Sequence, residues 1–165
     1  MGHILLYEEI KNLTISELIS QIKQAEKIAF KDLKLVDLIH NKRSLIGVYV
    51  IFDEQENAVY VGKTGSRSIL ERIASHFDLR ENAFMNTFLR ALTGKKKRRN
   101  QPQATSEDLM YVYELALEHK LIFMSVKHEI IGLLESILTN ELQPRLNSIR
   151  GTRQYRISER IVDLK

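Results

Sequence analysis

The chain has 165 residues, 44% of them hydrophobic and 28% charged, a globular composition long enough for one domain with a real core. It has no cysteine, which excludes disulfides, thiolate metal sites and a cysteine nucleophile, and its five histidines are scattered without zinc-site spacing. No apolar run approaches the ~18 residues of a membrane span and the N-terminus lacks signal-peptide architecture, so a cytoplasmic protein with no membrane partner is expected. A formal charge of +4 is modest, but a modest total can hide a local patch suited to a polyanion.

In chain order, residues 1–13 offer only a short apolar run at 4–7. Thr14 and Glu17 form the capping signature of a helix start, and Leu18, Ile22, Ala25 and Ala29 recur at helical spacing. Leu33, Val36, Leu38 and Ile39 continue the apolar pattern. These features predict helix over 15–40, with at most one break, inside an N-terminal helical extension (residues 1–43) that packs on the main domain (residues 44–149).

Two β-branched runs, residues 46–52 and 58–62, flank the polar residues 53–57 and predict an antiparallel hairpin. Each run holds a tyrosine. Paired strand residues share a face and faces alternate along a strand, so Tyr49 and Tyr60 share a face only if paired positions sum to an odd number. That requires an even-length loop or a bulge, whereas a regular five-residue loop would put the tyrosines on opposite faces.

Ser68 and Glu71 form a second capping box, and the helix they start is expected to bury Ile69, Leu70, Ala74 and Phe77, with Ile73 beside them. Arg72 and His76, one turn apart, then project from its polar side. A helix over 82–93 would bury Phe84, Met85, Phe88, Leu89 and Leu92 and stop at Gly94. Five consecutive cations follow, Lys95, Lys96, Lys97, Arg98 and Arg99, and read as an exposed loop that either solubilises the chain or, beside a nuclease motif, contacts phosphates.

Thr105 and Asp108 cap a helix ending near His119, and residues 121–126 predict a third strand. The last main helix, 129–142, carries the stripe Ile130, Leu133, Leu134, Ile137 and Leu138, with Glu135 on its flank. Gly132 inside it suggests close approach of another backbone. A basic tail, 150–165, brings Arg150 and Arg153 beside Tyr155, a mixture suited equally to nucleic acid and to an edge strand.

The run Gly62-Lys63-Thr64 imitates the end of a nucleotide-binding P-loop, but that motif requires glycine at position 57, where this chain has Asn57. A different resemblance is better carried. Gly47-Val48-Tyr49 and Tyr60-Val61-Gly62 resemble the two strand motifs that name the GIY-YIG endonucleases, each differing only by Ile to Val. The resemblance extends over residues 46–148 through Lys63, Arg72 with His76 on the next helix, Glu135 on a later helix, and Asn147 after Pro144.

The resemblance implies an α/β fold, a small three-stranded antiparallel sheet flanked by helices, and a nuclease cutting double-stranded or branched DNA. It implies that Glu135 is the sole carboxylate ligand of one Mg²⁺ or Mn²⁺, that Arg72 neutralises charge on the phosphate, and that Lys63 supports the nucleophile side. Asn147 would close the site. His76 would orient a neighbour, contact phosphate or shuttle a proton. Either tyrosine fits the general base; Tyr49, held mid-strand between Val48 and Val50, is assigned that role and Tyr60, nearer the glycine turn, the positioning role. The alternatives from other classes are a nucleic-acid-binding module without catalysis and a protein-interaction domain.

Overall fold

The computed structural model describes residues 2–95 and 103–147. It is an α/β protein built on a five-stranded sheet with helices on both faces. The strands are β1 (Ile4–Leu6), β2 (Ile28–Ala29), β5 (Gly47–Phe52), β6 (Ala58–Thr64) and β7 (Lys120–Ser125), while β3 (Ile39–His40) and β4 (Arg43–Ser44) form a separate small hairpin. Strand β5 lies between β6 and β7, antiparallel to both. All six of its residues are buried, which is why it reads as a continuous apolar run rather than an alternating one.

One face of the sheet packs against α3 (Ile69–His76), α4 (Thr87–Leu92), α5 (Ser106–Tyr111) and α6 (Tyr113–Glu118), burying Tyr49, Ile51, Ile69, Phe88, Leu109 and Phe123 together. The other carries α1 (Tyr7–Ile10), α2 (Ile15–Gln24) and α7 (Ile131–Leu142), around Val48, Val50, Ile122, Leu134 and Leu138. Among the described residues no helix is long and apolar enough to cross a membrane.

The hairpin resolves the parity question by a bulge. Tyr49 pairs with Gly62 and Ile51 with Tyr60, then the register shifts so that Phe52 pairs with Ala58. The turn is the odd-length segment 53–57, closed by the Asn57 backbone N–H donating to Asp53 Oδ1 at 2.9 Å, with Glu56 in the left-handed region at φ 61°. The extra residue in β6 restores the odd sum, and both tyrosines face the α3 side.

Several expectations are corrected. The sheet has five strands, not three, because two come from the segment expected to be a helical extension: β1 runs parallel to β7, and β2 pairs with the same strand antiparallel. Helix ends at Gln24, and residues 25–40 form short strands and 3₁₀ turns, since hydrogen bonding to the free edge of β7 overrides local helical spacing. Only Thr87–Leu92 of the expected 82–93 helix is α-helical, and Phe84 is exposed rather than inward. The helix after Thr105 breaks at Val112, and Leu133 of α7 is exposed. A Cβ at Gly132 would meet nothing within 4 Å, so no backbone presses on it.

The glycines of the two strand motifs do have close neighbours. A Cβ on Gly47 would lie 1.9 Å from the Met124 carbonyl oxygen of the next strand, and one on Gly62 would lie 2.3 Å from both Cζ and Oη of Tyr49. Gly62 is therefore the floor on which the Tyr49 ring rests. Gly62→Ala is expected to cost about 1–3 kcal/mol by overpacking and to displace the ring, lowering the urea midpoint of unfolding.

Candidate active site

The α3 side of the hairpin gathers four of the residues singled out in the sequence. Arg72 and His76 are not on a polar helix face: with Ile69 and Ile73 they form the buried stripe of α3, Arg72 being 9% exposed and His76 wholly buried. Burying them requires that their polar atoms be satisfied. Arg72 Nε donates to Tyr49 Oη at 3.1 Å, Nη1 to the Met85 carbonyl at 3.0 Å and Nη2 to Thr87 Oγ1 at 3.0 Å. The Thr87 and Tyr60 hydroxyls share a hydrogen bond of 2.9 Å.

His76 Nδ1 accepts the backbone N–H of Phe88 at 3.2 Å, so in the neutral ring the proton sits on Nε2, which donates to Tyr49 Oη at 2.5 Å. The oxygen of Tyr49 thus receives two donors. The rings of Tyr49 and Tyr60 lie 6.3 Å apart at 25°, with His76 edge-on to both.

Burial pushes the Tyr49 phenol pKa well above its ordinary value, with Tyr60 adding to the effect, while the charge and hydrogen bond of Arg72 act in the opposite direction. Burial first, and the charge of Arg72 second, hold His76 well below the usual histidine range. The folded state therefore binds a proton at His76 less readily than the unfolded chain does. This contribution to stability is complete above the unfolded reference near 6.5 and is lost as pH falls below it towards the folded value. Chemical denaturation between pH 7 and pH 5 is expected to show stability falling by up to about 1.4 kcal/mol per pH unit from this one group, a slope that His76→Asn removes.

The opposite layer supplies the other half. Lys63 follows Gly62 on β6 and points to the α7 side, where its Nζ lies 2.6 Å from Glu135 Oε2. Glu135 is 27% exposed, on the helix flank as its spacing predicts. The two layers meet at the end of β6 in a cleft of about 610 Å³ lined by Lys63, Gly65, Arg67, Arg72, His128 and Gly132 among others. Asn147 lies at the outer edge of β6: its Nδ2 donates to the Val61 carbonyl at 2.7 Å and its Oδ1 accepts the Val61 N–H at 2.8 Å. It occupies the strand's open ladder and holds β6, and the cleft beside it, in place.

No protein-family model, curated protein or solved structure matches this chain.

Sequence reasoning missed Thr87, the Met85 carbonyl and His128. Thr87 sits at the start of α4, where no periodicity marks it, and periodicity offers Met85 as an apolar side chain but says nothing of its carbonyl. His128 was legible: with Gly132 and Glu135 it is spaced by four and three residues, one face of a helix. Gly132 on that face leaves open space toward the cleft. Lys95 is ion-paired to Asp108 at 2.7 Å, while Lys96, Lys97, Arg98, Arg99, Arg150 and Arg153 lie outside the described residues.

Among the described residues no group of three or more histidine, aspartate and glutamate side chains gathers as a metal cage. The donor chemistry of Glu135 fits a different arrangement, a hard carboxylate, partly open to water, that serves as a lone protein ligand to an ion keeping most of its waters.

Proposed function

We propose that the chain is a metal-dependent endonuclease of the GIY-YIG type that hydrolyses DNA phosphodiester bonds. The observation that carries this reading is the state of Arg72. A buried guanidinium needs compensation, yet its three hydrogen-bond partners are neutral oxygens, and it lines a cleft whose other polar groups include Lys63, Arg67 and His128. Among the described residues no carboxylate pairs directly with the guanidinium, and an anion seated in the cleft would supply the counter-charge. A phosphodiester supplies it, and three of the five guanidinium N–H groups are already spent on aiming the side chain.

In this reading Tyr49 and Thr87 fix the guanidinium so that its remaining N–H groups meet the charge that grows on the phosphoryl oxygens. Glu135 would hold Mg²⁺ or Mn²⁺, which when bound supplies Lewis-acid stabilisation of the departing oxygen. Lys63, freed from Glu135, turns to the substrate side. The oxygen of Tyr49 is the proposed proton acceptor, favoured by the two donors aimed at it and opposed by its burial.

The test is incubation of the full chain with linear duplex, single-stranded and branched DNA, with Mg²⁺ and with chelator. Cleavage that appears with the ion and stops with the chelator is the expected result. Binding without cleavage under every condition leaves the inactive nucleic-acid-binding module in its place.

A further inference from the structure

Alternation along β6 and the spacing of α7 bring one lysine against one glutamate. Gly62 rests under the Tyr49 ring, so Lys63, the next residue of the strand, faces the opposite side of the sheet, where Glu135 stands on α7 one turn after Ile131. Lys63 Nζ lies 2.6 Å from Glu135 Oε2, with half of the lysine side chain and about a quarter of the glutamate side chain open to water. The lysine also lines the cleft shared with Arg67, Arg72 and His128. Its flexible four-carbon stem lets the ammonium swing between Glu135 and that cleft with the backbone fixed.

The local charges do not balance for two cations on Glu135 at once. Glu135 carries a single negative charge, and the charged side chains lining the neighbouring cleft, Lys63, Arg67 and Arg72, are all positive. Mg²⁺ binds a carboxylate oxygen directly, at about 2.0–2.1 Å. An ammonium in contact with the same carboxylate neutralises it and repels the ion, so one leaves as the other arrives. A phosphodiester in the cleft shifts this balance, because it offers Lys63 a different anion and adds negative charge beside the ion.

Resting on the nuclease reading, we infer that Lys63 is the gate on metal binding: its ammonium and the divalent ion exclude one another on Glu135, and DNA phosphate opens the gate by drawing Lys63 into the cleft. The coupling is reciprocal, since whatever phosphate adds to the affinity of Glu135 for the ion, the ion adds to the affinity of the cleft for phosphate. The free protein therefore holds the ion weakly, and the ion is held firmly only where DNA is already seated.

The test uses the full chain. Mn²⁺ binding is read by electron paramagnetic resonance without DNA, so that metal affinity is measured apart from cleavage. Lys63→Met is expected to tighten Mn²⁺ binding about tenfold by removing the competing charge, whereas Lys63→Arg, which keeps that charge, binds no more tightly than wild type. Glu135→Gln removes the Mn²⁺ site. In protein labelled with ¹³C-lysine, the Lys63 Cε resonance, identified by its loss in Lys63→Met, is expected to move when Mg²⁺ is added and to move when duplex DNA is added in chelator; in Glu135→Gln, Mg²⁺ leaves it in place. Equal Mn²⁺ affinity in wild type and Lys63→Met, or a Lys63 resonance that either Mg²⁺ or DNA leaves unmoved, overturns the gate. Absence of any Glu135-dependent Mn²⁺ binding overturns it too and takes the metal out of the nuclease reading. Cleavage is scored separately: these responses in a protein that cuts no DNA support the gate and overturn the nuclease reading alone.

Discussion

Glu135→Gln is expected to remove divalent-dependent cleavage, a fall of about three orders of magnitude or more, while metal-free DNA affinity stays within a few fold. Loss of a Lewis-acid site withdraws several kcal/mol of transition-state stabilisation, and roughly 1.4 kcal/mol corresponds to each factor of ten. The amide keeps the shape of the carboxylate but not its charge, so it holds a hard divalent cation poorly. Stability is a separate matter. The Lys63–Glu135 pair is half-exposed on the lysine side and a quarter-exposed on the glutamate side, where such pairs contribute about 0–1 kcal/mol. Unfolding midpoints close to wild type, single-turnover rates near background and retained DNA binding together make the expected result. Retained turnover would remove Glu135 from the site.

The second large effect belongs to Tyr49. Tyr49→Phe removes one hydroxyl but leaves two buried donors, Arg72 Nε–H and His76 Nε2–H, without their acceptor. Each orphaned donor costs about 1–3 kcal/mol, so a measurable drop in stability accompanies any change in rate. The rate itself is expected to fall by about 10²- to 10⁴-fold under single-turnover conditions, the contribution of a general base. Tyr60→Phe loses only its link to Thr87 and is expected to do less.

The pH profile separates a base from a mere support. Because burial raises the Tyr49 pKa, the phenolate is scarce at neutral pH, and its fraction grows about tenfold per unit as pH rises. A rate that climbs with unit slope into the alkaline range, and that flattens in Tyr49→Phe, is the expected result. A rate without that alkaline slope would take the base role from Tyr49 and leave it to hold Arg72. A more damaging Tyr60→Phe would exchange the tyrosine roles.

Much of the scaffold was legible because it is written in short-range pattern. The hairpin, the capping box at Ser68 and the strand at 120–125 obey local periodicity and local turn chemistry, and the hydrogen bonds of Ser68 with Glu71 are those its sequence signature predicts. The parity of the two tyrosines was legible as a condition but not as an outcome. Residues 53–57 set an odd loop, and only the pairing of β6 with β5 decided that Val59 would bulge.

The N-terminal segment was misread because its apolar residues at 28–30 satisfy two patterns, and the choice depended on β7, some ninety residues away, offering an unpaired edge. Arg72 and His76 were misassigned to solvent for a related reason. Polar type predicts exposure on average, and burial becomes favourable only when partners from distant elements are supplied, here the Tyr49 hydroxyl from β5, Thr87 and the Met85 carbonyl beside α4, and the Phe88 N–H.

By itself, then, the order of residues determined the central hairpin, the capped helix starts at Thr14, Ser68 and Thr105, the strand after His119, and an α/β core without cysteine. The tertiary structure alone decided that α3 and α7, on opposite faces of the sheet, meet at the end of β6 with Arg72 on one side and the Lys63–Glu135 pair on the other. The physical reason is range: helix and turn preferences act over about four residues, whereas a cleft is made where segments dozens of residues apart exclude water together.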